Sequence, residues 1–280
     1  TTINESENEK YKSNILSVTE ELVYRSVVDE QSGEVKEVGR GDLTLFINGL
    51  PIIWIELKAN SSGQSISNAK VQYMKTRDPD ELIFKFKQGC LVFFAVDLEE
   101  VAFTTKLKKE NTYFMPYNKG VNMHKGNPVV KNDIKTSYMW NEILTKDNII
   151  EWISNYIVDE KITEKDVNGV FKTKENIIFP RFHQFYEVTN IINDVTQKGV
   201  SGQNYLIKDS PGSGKTYSIA WLAHHLASLH VENKPVYDSI IVVTDRLVVD
   251  DQLQKAILRI PHTDGCVEVM DENCTSEQLA

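Results

Sequence analysis

The sequence predicts an α/β protein with a mixed-sheet domain followed by a parallel strand-and-helix domain. Three observations carry that prediction. Two apolar runs flank Asn48-Gly49, a residue pair that closes tight β-hairpins. The run Cys90-Leu91-Val92-Phe93-Phe94-Ala95-Val96 is short and rich in aromatic and branched residues, the composition of a buried strand. After residue 177 the pattern alternates strand, helix, strand, helix, an order that implies a parallel sheet.

The elements follow in chain order. Residues 1 to about 35 are polar and acidic, and Ser13 to Val28 carry Ile15, Leu16, Val18, Leu22 and Val23 on a helix or a first strand. Leu43 to Ile47 and Ile52 to Ile55 form the hairpin. Ile66 to Thr76 is helical, and Val101 to Thr105 pairs with the strand at 90–96. Residues 117–175 are looser, with Gly120, Gly126 and Pro128, a helix from Ser137 to Ile157, and a charged linker from Asp159 to Glu175. Asn204 to Ile207 and Ser239 to Thr244 read as strands. Lys215 to Leu229 reads as a helix on the spacing of Ile219, Leu222, Ala223, Leu226 and Leu229, and Val248 to Leu258 as another. This divides the chain into 1–135, a helical connector and linker over 136–176, and a second domain over 177–280.

Composition narrows the classes. With 280 residues, 41% hydrophobic and 25% charged, the chain has enough apolar material for a packed core and is not a disordered tail. A net charge of -9 excludes a uniformly basic nucleic-acid coat protein. Cys90, Cys266 and Cys274 are odd in number and widely spaced. That argues against a disulfide framework or a cysteine zinc site and for free thiols in a cytoplasmic setting. No apolar run is long enough to span a bilayer, so no membrane association is expected. The start lacks Met and a signal pattern, which suggests a piece of a longer chain.

The strongest motif is Ser210-Pro211-Gly212-Ser213-Gly214-Lys215-Thr216, between a predicted strand and a predicted helix. Gly212, Ser213 and Gly214 let backbone N–H groups turn around phosphate oxygens. Lys215 offers a cation to ATP, and the Thr216 hydroxyl offers a ligand to Mg²⁺. The full pattern has Gly where this chain has Asp209. A relaxed first position is a feature of helicase-type ATPases. About 30 residues upstream, Arg181 and Gln184 lie where such motors read adenine; an ordinary polar helix start after Pro180 is the plainer alternative. Val243-Thr244-Asp245-Arg246 ends the second strand, where open α/β sheets bind ligands, and Asp245 also suits a helix N-cap. Asp271-Glu272-Asn273-Cys274 imitates the acidic motif of these ATPases, but it follows Thr216 too closely, after a weak strand. Without that motif, the chain is expected to bind ATP and not to hydrolyse it.

The second constellation is Asp42 with Glu56-Leu57-Lys58. Glu-x-Lys alone is uninformative, since Glu34-Val35-Lys36 also matches. Here, though, Glu56 and Lys58 end a very apolar strand and share a face. A hairpin centred on Gly49 sets Asp42 opposite Glu56, with Cβ atoms about 5 Å apart. Two carboxylates that close suit a hard divalent ion such as Mg²⁺, with Lys58 beside developing charge. The bland alternative is an exposed salt-bridge cluster.

Taken in order, these motifs resemble the restriction (motor) subunit of type I restriction–modification enzymes over nearly the whole chain. Gly41-Asp42-Leu43, Phe46 to Pro51 and Ile55 to Lys58 resemble that family's PD-(D/E)xK nuclease core, and Ala69-Lys70-Val71-Gln72-Tyr73 its glutamine segment. Leu91 to Val96, Met115 to Gly120, Ile178 to Gln184, Gly212 to Thr216 and Val243 to Arg246 also fit. The resemblance implies a PD-(D/E)xK-like domain followed by a partial RecA-like (superfamily 2 helicase) domain. It implies Asp42 and Glu56 as metal ligands, Lys58 as the catalytic lysine and Gln72 as a DNA-proximal or metal-organising residue. An acidic residue ahead of Asp42 is also implied, with Glu9, Glu20 and Glu21 as candidates. The implied activity is Mg²⁺-dependent cleavage of double-stranded DNA coupled to ATP-driven translocation, with methyltransferase and specificity subunits as partners. The alternative is a helicase-like nucleic-acid-dependent ATPase whose N-terminal domain is a non-catalytic docking module.

Charge is uneven along the chain. Residues 70–135 hold 12 Lys+Arg against 8 Asp+Glu, and the remainder 19 against 32. Part of that local basic excess is expected to line a DNA path.

Overall fold

The computed structural model describes residues 5–270, except 60, 62, 123, 166–167 and 200–202. The chain runs α1 (Glu5–Ser13), β1 (Leu16–Glu20), β2 (Val23–Val28), β3 (Val35–Arg40), β4 (Leu43–Ile47), β5 (Leu50–Leu57), α2 (Ile66–Lys75), β6 (Val92–Val96), β7 (Val101–Thr104) and β8 (Met115–Pro116). A mixed six-stranded sheet in the order β1-β4-β5-β6-β7-β8 organises this half. Only β5 and β6 run parallel, and the α2 segment makes the crossover that parallel neighbours require. β2 and β3 form a separate antiparallel ribbon.

The β4–β5 hairpin turns at Asn48 and Gly49, both with positive φ (50° and 82°), as a two-residue primed turn demands. Ile47 faces Leu50 and Phe46 faces Pro51, after which a bulge shifts the pairing so that Leu45 meets Ile53 and Leu43 meets Ile55. Pro51 has no N–H to give the ladder, which explains a bulge beside it. The bulge restores the register expected from a centre on Gly49, and the pairing ends at Leu43 with Ile55, one residue short of Asp42 and Glu56.

The period of two along the strands separates two cores. Trp54, Phe93, Ala95 and Ala102 face α2, whose Ile66, Ala69 and Tyr73 pack with Phe84. The Tyr73 hydroxyl donates within hydrogen-bond reach of the carbonyls of Phe94 (2.7 Å) and Trp54 (3.2 Å), tying α2 to the sheet. Ile53, Ile55, Phe94, Val96 and Phe103 point the other way, onto the connector.

The connector departs from a continuous helix. It comprises a π-helical turn (Met139–Ile143), α3 (Lys146–Glu151) and a second π-helical turn (Trp152–Tyr156). The wider π turns keep Met139, Ile143, Ile149, Trp152 and Tyr156 all buried. The expected linker after it is instead an antiparallel hairpin, β9 (Val158–Lys165) with β10 (Phe171–Ile178).

α4 (Phe182–Lys198), α5 (Lys215–Ala227) and α6 (Leu247–Arg259) complete the described chain, with the short pair β11 (His230–Val231) and β12 (Lys234–Pro235) between α5 and α6. Val188, Ala220, Trp221 and Ala256 join the same core as the connector. The strands expected at 204–207 and 239–244 do not form. A parallel strand exists only when neighbours bond to it, and none lies beside these segments among the described residues. Leu206, Ile241 and Val243 are accordingly exposed. The parallel sheet expected for the second half is therefore absent from the described residues, while its helices are present. No helix is long and apolar enough to cross a membrane among the described residues.

Candidate functional site

Asp42 stands at the entry to β4, and its carboxylate is held at the end of β5. Its Oδ2 accepts the Leu57 N–H at 2.7 Å and lies 3.6 Å from Lys58 Nζ. Lys58 Nζ also donates to the Leu57 carbonyl at 3.0 Å. The approach needs Gly41, because a Cβ there would lie 1.8 Å from Trp54 Cζ2. Asp42 and Lys58 thus meet at the end of β5, the strand that carries Glu56.

Glu56 is completely buried, not part of an exposed salt-bridge cluster. Its Oε1 accepts from Trp54 Nε1 at 2.7 Å and from Arg77 Nε at 2.8 Å, with Arg77 Nη2 at 2.7 Å. Burial pushes the Glu56 carboxyl up from its ordinary range; Arg77 and the indole N–H oppose that shift and the nearby Asp42 adds to it. Its Oε2 is buried without a hydrogen-bond partner. A buried carboxylate oxygen with no partner, beside a second carboxylate, is a fit for a hard divalent cation. Among the described residues no cluster of three His, Cys, Asp or Glu forms.

Gln72 lies half-buried on α2 next to Tyr73, and its carbonyl accepts from Thr76. Among the described residues no hydrogen bond joins its side chain to Asp42, Glu56 or Lys58, so the structure brings it only to the neighbouring element. Of the upstream acids, Glu9 is exposed on α1 and Glu20 pairs with Leu43 across β1–β4. Glu21 donates its N–H to the Asp42 carbonyl at 2.9 Å, and its side chain meets Arg40 at 3.2 Å. Arg77 belongs to the basic excess at 70–135 but pairs with Glu56, 21 residues away and outside any motif.

The phosphate loop leads into α5 at Lys215, with Gly212 and Gly214 at φ 77° and 93°. Lys215 Nζ folds back on the loop, donating to the carbonyls of Asp209 (2.7 Å) and Ser210 (2.8 Å). The upstream residues reach it directly. Gln184 Nε2 donates to the Gly214 carbonyl at 2.8 Å, while its Oε1 accepts the Arg181 N–H at 2.9 Å. Arg181 Nη1 lies 3.5 Å from the Gly212 carbonyl, and His183 Nε2 lies 3.1 Å from that of Ser213. Spacing alone left Arg181 and Gln184 open to a bland reading; the contacts place both against the loop. Burial and the adjacent Asp209 raise the Glu187 carboxyl to about 7. Asp245 and Arg246 are exposed and 3.9 Å apart. The segment at 271–274 lies outside the described residues.

The basic excess at 70–135 is partly neutralised. Lys87 pairs with Asp159 (2.6 Å) and Glu175 (3.2 Å), Lys119 with Glu142 (2.6 Å), and Lys135 with Glu99. Lys106 donates to the Glu175 carbonyl at 3.0 Å and sits 3.9 Å from the Phe86 ring centre. Cys90 is buried, and burial pushes its thiol to about 12, which leaves it unreactive.

Comparison with known proteins adds an independent line. Residues 2–112 match the family described as type I restriction enzyme R protein N terminus, and residues 183–278 match SWI2/SNF2 ATPase. The putative type I restriction enzyme MjaVIIP endonuclease subunit of Methanocaldococcus jannaschii is 31% identical over 224 residues, covering 76% of this chain and 19% of that protein. The MjaVIIIP endonuclease subunit of the same organism is 26% identical over 224 residues, covering 78% and 20%. The type I restriction enzyme HindI endonuclease subunit of Haemophilus influenzae is 25% identical over 218 residues, covering 76% and 19%. The chain spans about a fifth of the length of these curated relatives. No solved structure matches it. The carboxylate–lysine hairpin lies inside the first family match and the phosphate loop inside the second, so the chain is similar to type I restriction enzyme R proteins in its first part and to SWI2/SNF2 ATPase in its last.

Proposed function

We propose that residues 1–135 form a Mg²⁺-dependent endonuclease of the PD-(D/E)xK kind, joined by a connector over 136–176 to the first part of an ATP-driven, RecA-like motor at 177–280. The observation that carries the nuclease reading is the hairpin end, where Asp42, the buried Glu56 with an unpartnered oxygen, and Lys58 converge. Asp42 and Glu56 would hold Mg²⁺, which when bound would polarise a DNA phosphodiester and lower the pKa of water. Lys58, already beside Asp42, places a cation where negative charge develops on the phosphate. Gln72, on the neighbouring α2, is the DNA-proximal or metal-organising residue of this reading.

In the motor part, the N–H groups of Gly212, Ser213 and Gly214 cradle ATP phosphates. Lys215 exchanges the carbonyls of Asp209 and Ser210 for phosphate oxygens. Thr216 supplies a hydroxyl for Mg²⁺, and Arg181 and Gln184, braced on the loop, address the adenine. Within the whole enzyme the substrate is double-stranded DNA. The partners are methyltransferase and specificity subunits, which read the recognition sequence in a cytoplasmic complex.

The decisive experiment uses the full-length subunit assembled with its partners. Glu56→Ala should abolish DNA cleavage while ATP turnover persists. Unchanged cleavage would instead support a docking module on a helicase-like ATPase. Lys215→Ala should remove translocation; a variant that still translocates refutes the loop's role.

A further inference from the structure

Glu56 has no exposed surface, and a carboxylate there needs a compensating cation. Arg77, one residue beyond the end cap of α2, supplies it. The hold is one-sided: both guanidinium contacts and the Trp54 indole fall on Oε1, and Oε2 has none. Arg77 is itself fixed. Nη1 donates to the Tyr24 hydroxyl at 3.1 Å and Nη2 to the Arg40 carbonyl at 2.8 Å, with the Tyr24 and Trp54 rings 5.6 and 5.7 Å from its guanidinium carbon. The Arg40 carbonyl belongs to the segment that delivers Gly41 and Asp42, so one guanidinium braces the backbone leading to one carboxylate and the side chain of the other.

We propose that Arg77 is a positioning residue of the nuclease site, gripping Glu56 by Oε1 so that Oε2 is presented to a divalent cation shared with Asp42. The inference rests on the metal-dependent nuclease reading of this hairpin. A planar fork suits the task, since it fixes the direction of a carboxylate as well as its charge, which a lysine ammonium does not. A purely structural ion pair would affect folding and leave cation affinity unchanged.

The test is Mn²⁺ binding to the full-length subunit, followed by electron paramagnetic resonance at a temperature where circular dichroism shows every variant folded. Arg77→Lys keeps a buried cation and loses the fork; its Mn²⁺ affinity should fall about tenfold, the effect typical of residues that orient metal ligands. Should Arg77→Lys not fold, Tyr24→Phe loosens the guanidinium by one hydrogen bond and should weaken Mn²⁺ about two- to fivefold. Unchanged or tighter Mn²⁺ binding in the folded variant overturns the proposal. Asp42→Asn and Glu56→Gln are the controls. If they abolish Mn²⁺ binding while Arg77→Lys leaves it intact, only the role of Arg77 falls. If they leave Mn²⁺ binding intact, the metal site falls with it.

Discussion

Two glycines carry specific, checkable requirements. Gly214 combines φ of 93° with a Cβ position 2.6 Å from Gln184 Nε2. Gly214→Ala should therefore displace Gln184 from the loop and weaken ATP binding about tenfold or more, read by nucleotide titration of the full-length subunit. Gly41→Ala would meet the Trp54 ring, a buried group that cannot swing aside, and should cost about 1–3 kcal/mol in denaturant unfolding. Glu187 supplies a pH dependence. Its folded pKa of about 7 lies above its ordinary 4.5, chiefly from burial and then from Asp209, so the stability linked to its proton is present at pH 4.5 and lost as pH rises through 7. Glu187→Gln should match the parent chain in thermal melts at pH 5 and exceed it at pH 8; equal pH profiles would contradict the assignment. The loop glycines, Lys215 and the hairpin triad were legible because spacing along the chain encodes them. Arg77 and Glu187 were not, because their partners, the Glu56 and Asp209 carboxylates, are distant in sequence and no local pattern marks either contact.

Among the elements, the hairpin β4–β5, strand β6 and helix α2 were legible through period and turn chemistry. The β9–β10 hairpin was not, because nearly every residue beyond its root is polar and alternation then carries no hydrophobic signal. Cross-strand chemistry holds it instead: Lys161 with Glu175 at 3.2 Å, Thr163 with Thr173 at 3.0 Å and Glu164 with Lys174 at 2.9 Å. Its root is another matter. Glu160 is buried and accepts from Arg259 of α6 at 2.7 Å and Tyr217 of α5 at 3.1 Å. Glu160→Ala would leave Arg259 unpaired and should cost about 1–3 kcal/mol in denaturant unfolding. Glu164→Ala, between exposed partners, should cost under about 0.5 kcal/mol. Equal effects would show that the hairpin is held along its length and not at its base. The unformed strands at 204–207 and 239–244 show the converse: apolar composition suggests a strand, but pairing requires a neighbour that local sequence does not contain.

Across the whole molecule, the two halves share one aromatic core. Phe94 and Phe103 on the sheet lie 6.1 and 5.2 Å from Phe179, which lies 4.9 Å from Trp152. Trp152 meets Phe185 of α4 at 5.6 Å, Phe185 meets Tyr156 at 5.2 Å, and Tyr156 meets Trp221 of α5 at 5.4 Å. All but the tilted Tyr156–Trp221 pair meet edge to face, and aromatic contacts of these kinds add about 0.5–1.5 kcal/mol each beyond burial, so the connector is a structural centre and not a loose tether. Trp152, fully buried at its middle, is the residue whose loss should be felt in both directions. Trp152→Ala should cost about 3–5 kcal/mol. More diagnostically, it should destabilise the β-sheet half and the helical half together. Hydrogen exchange read at β6 and at α5 would follow each half separately. Parallel loss of protection at both is expected; loss confined to α5 would mean that the halves unfold independently and that any signal between phosphate loop and nuclease hairpin must travel by another route than this core.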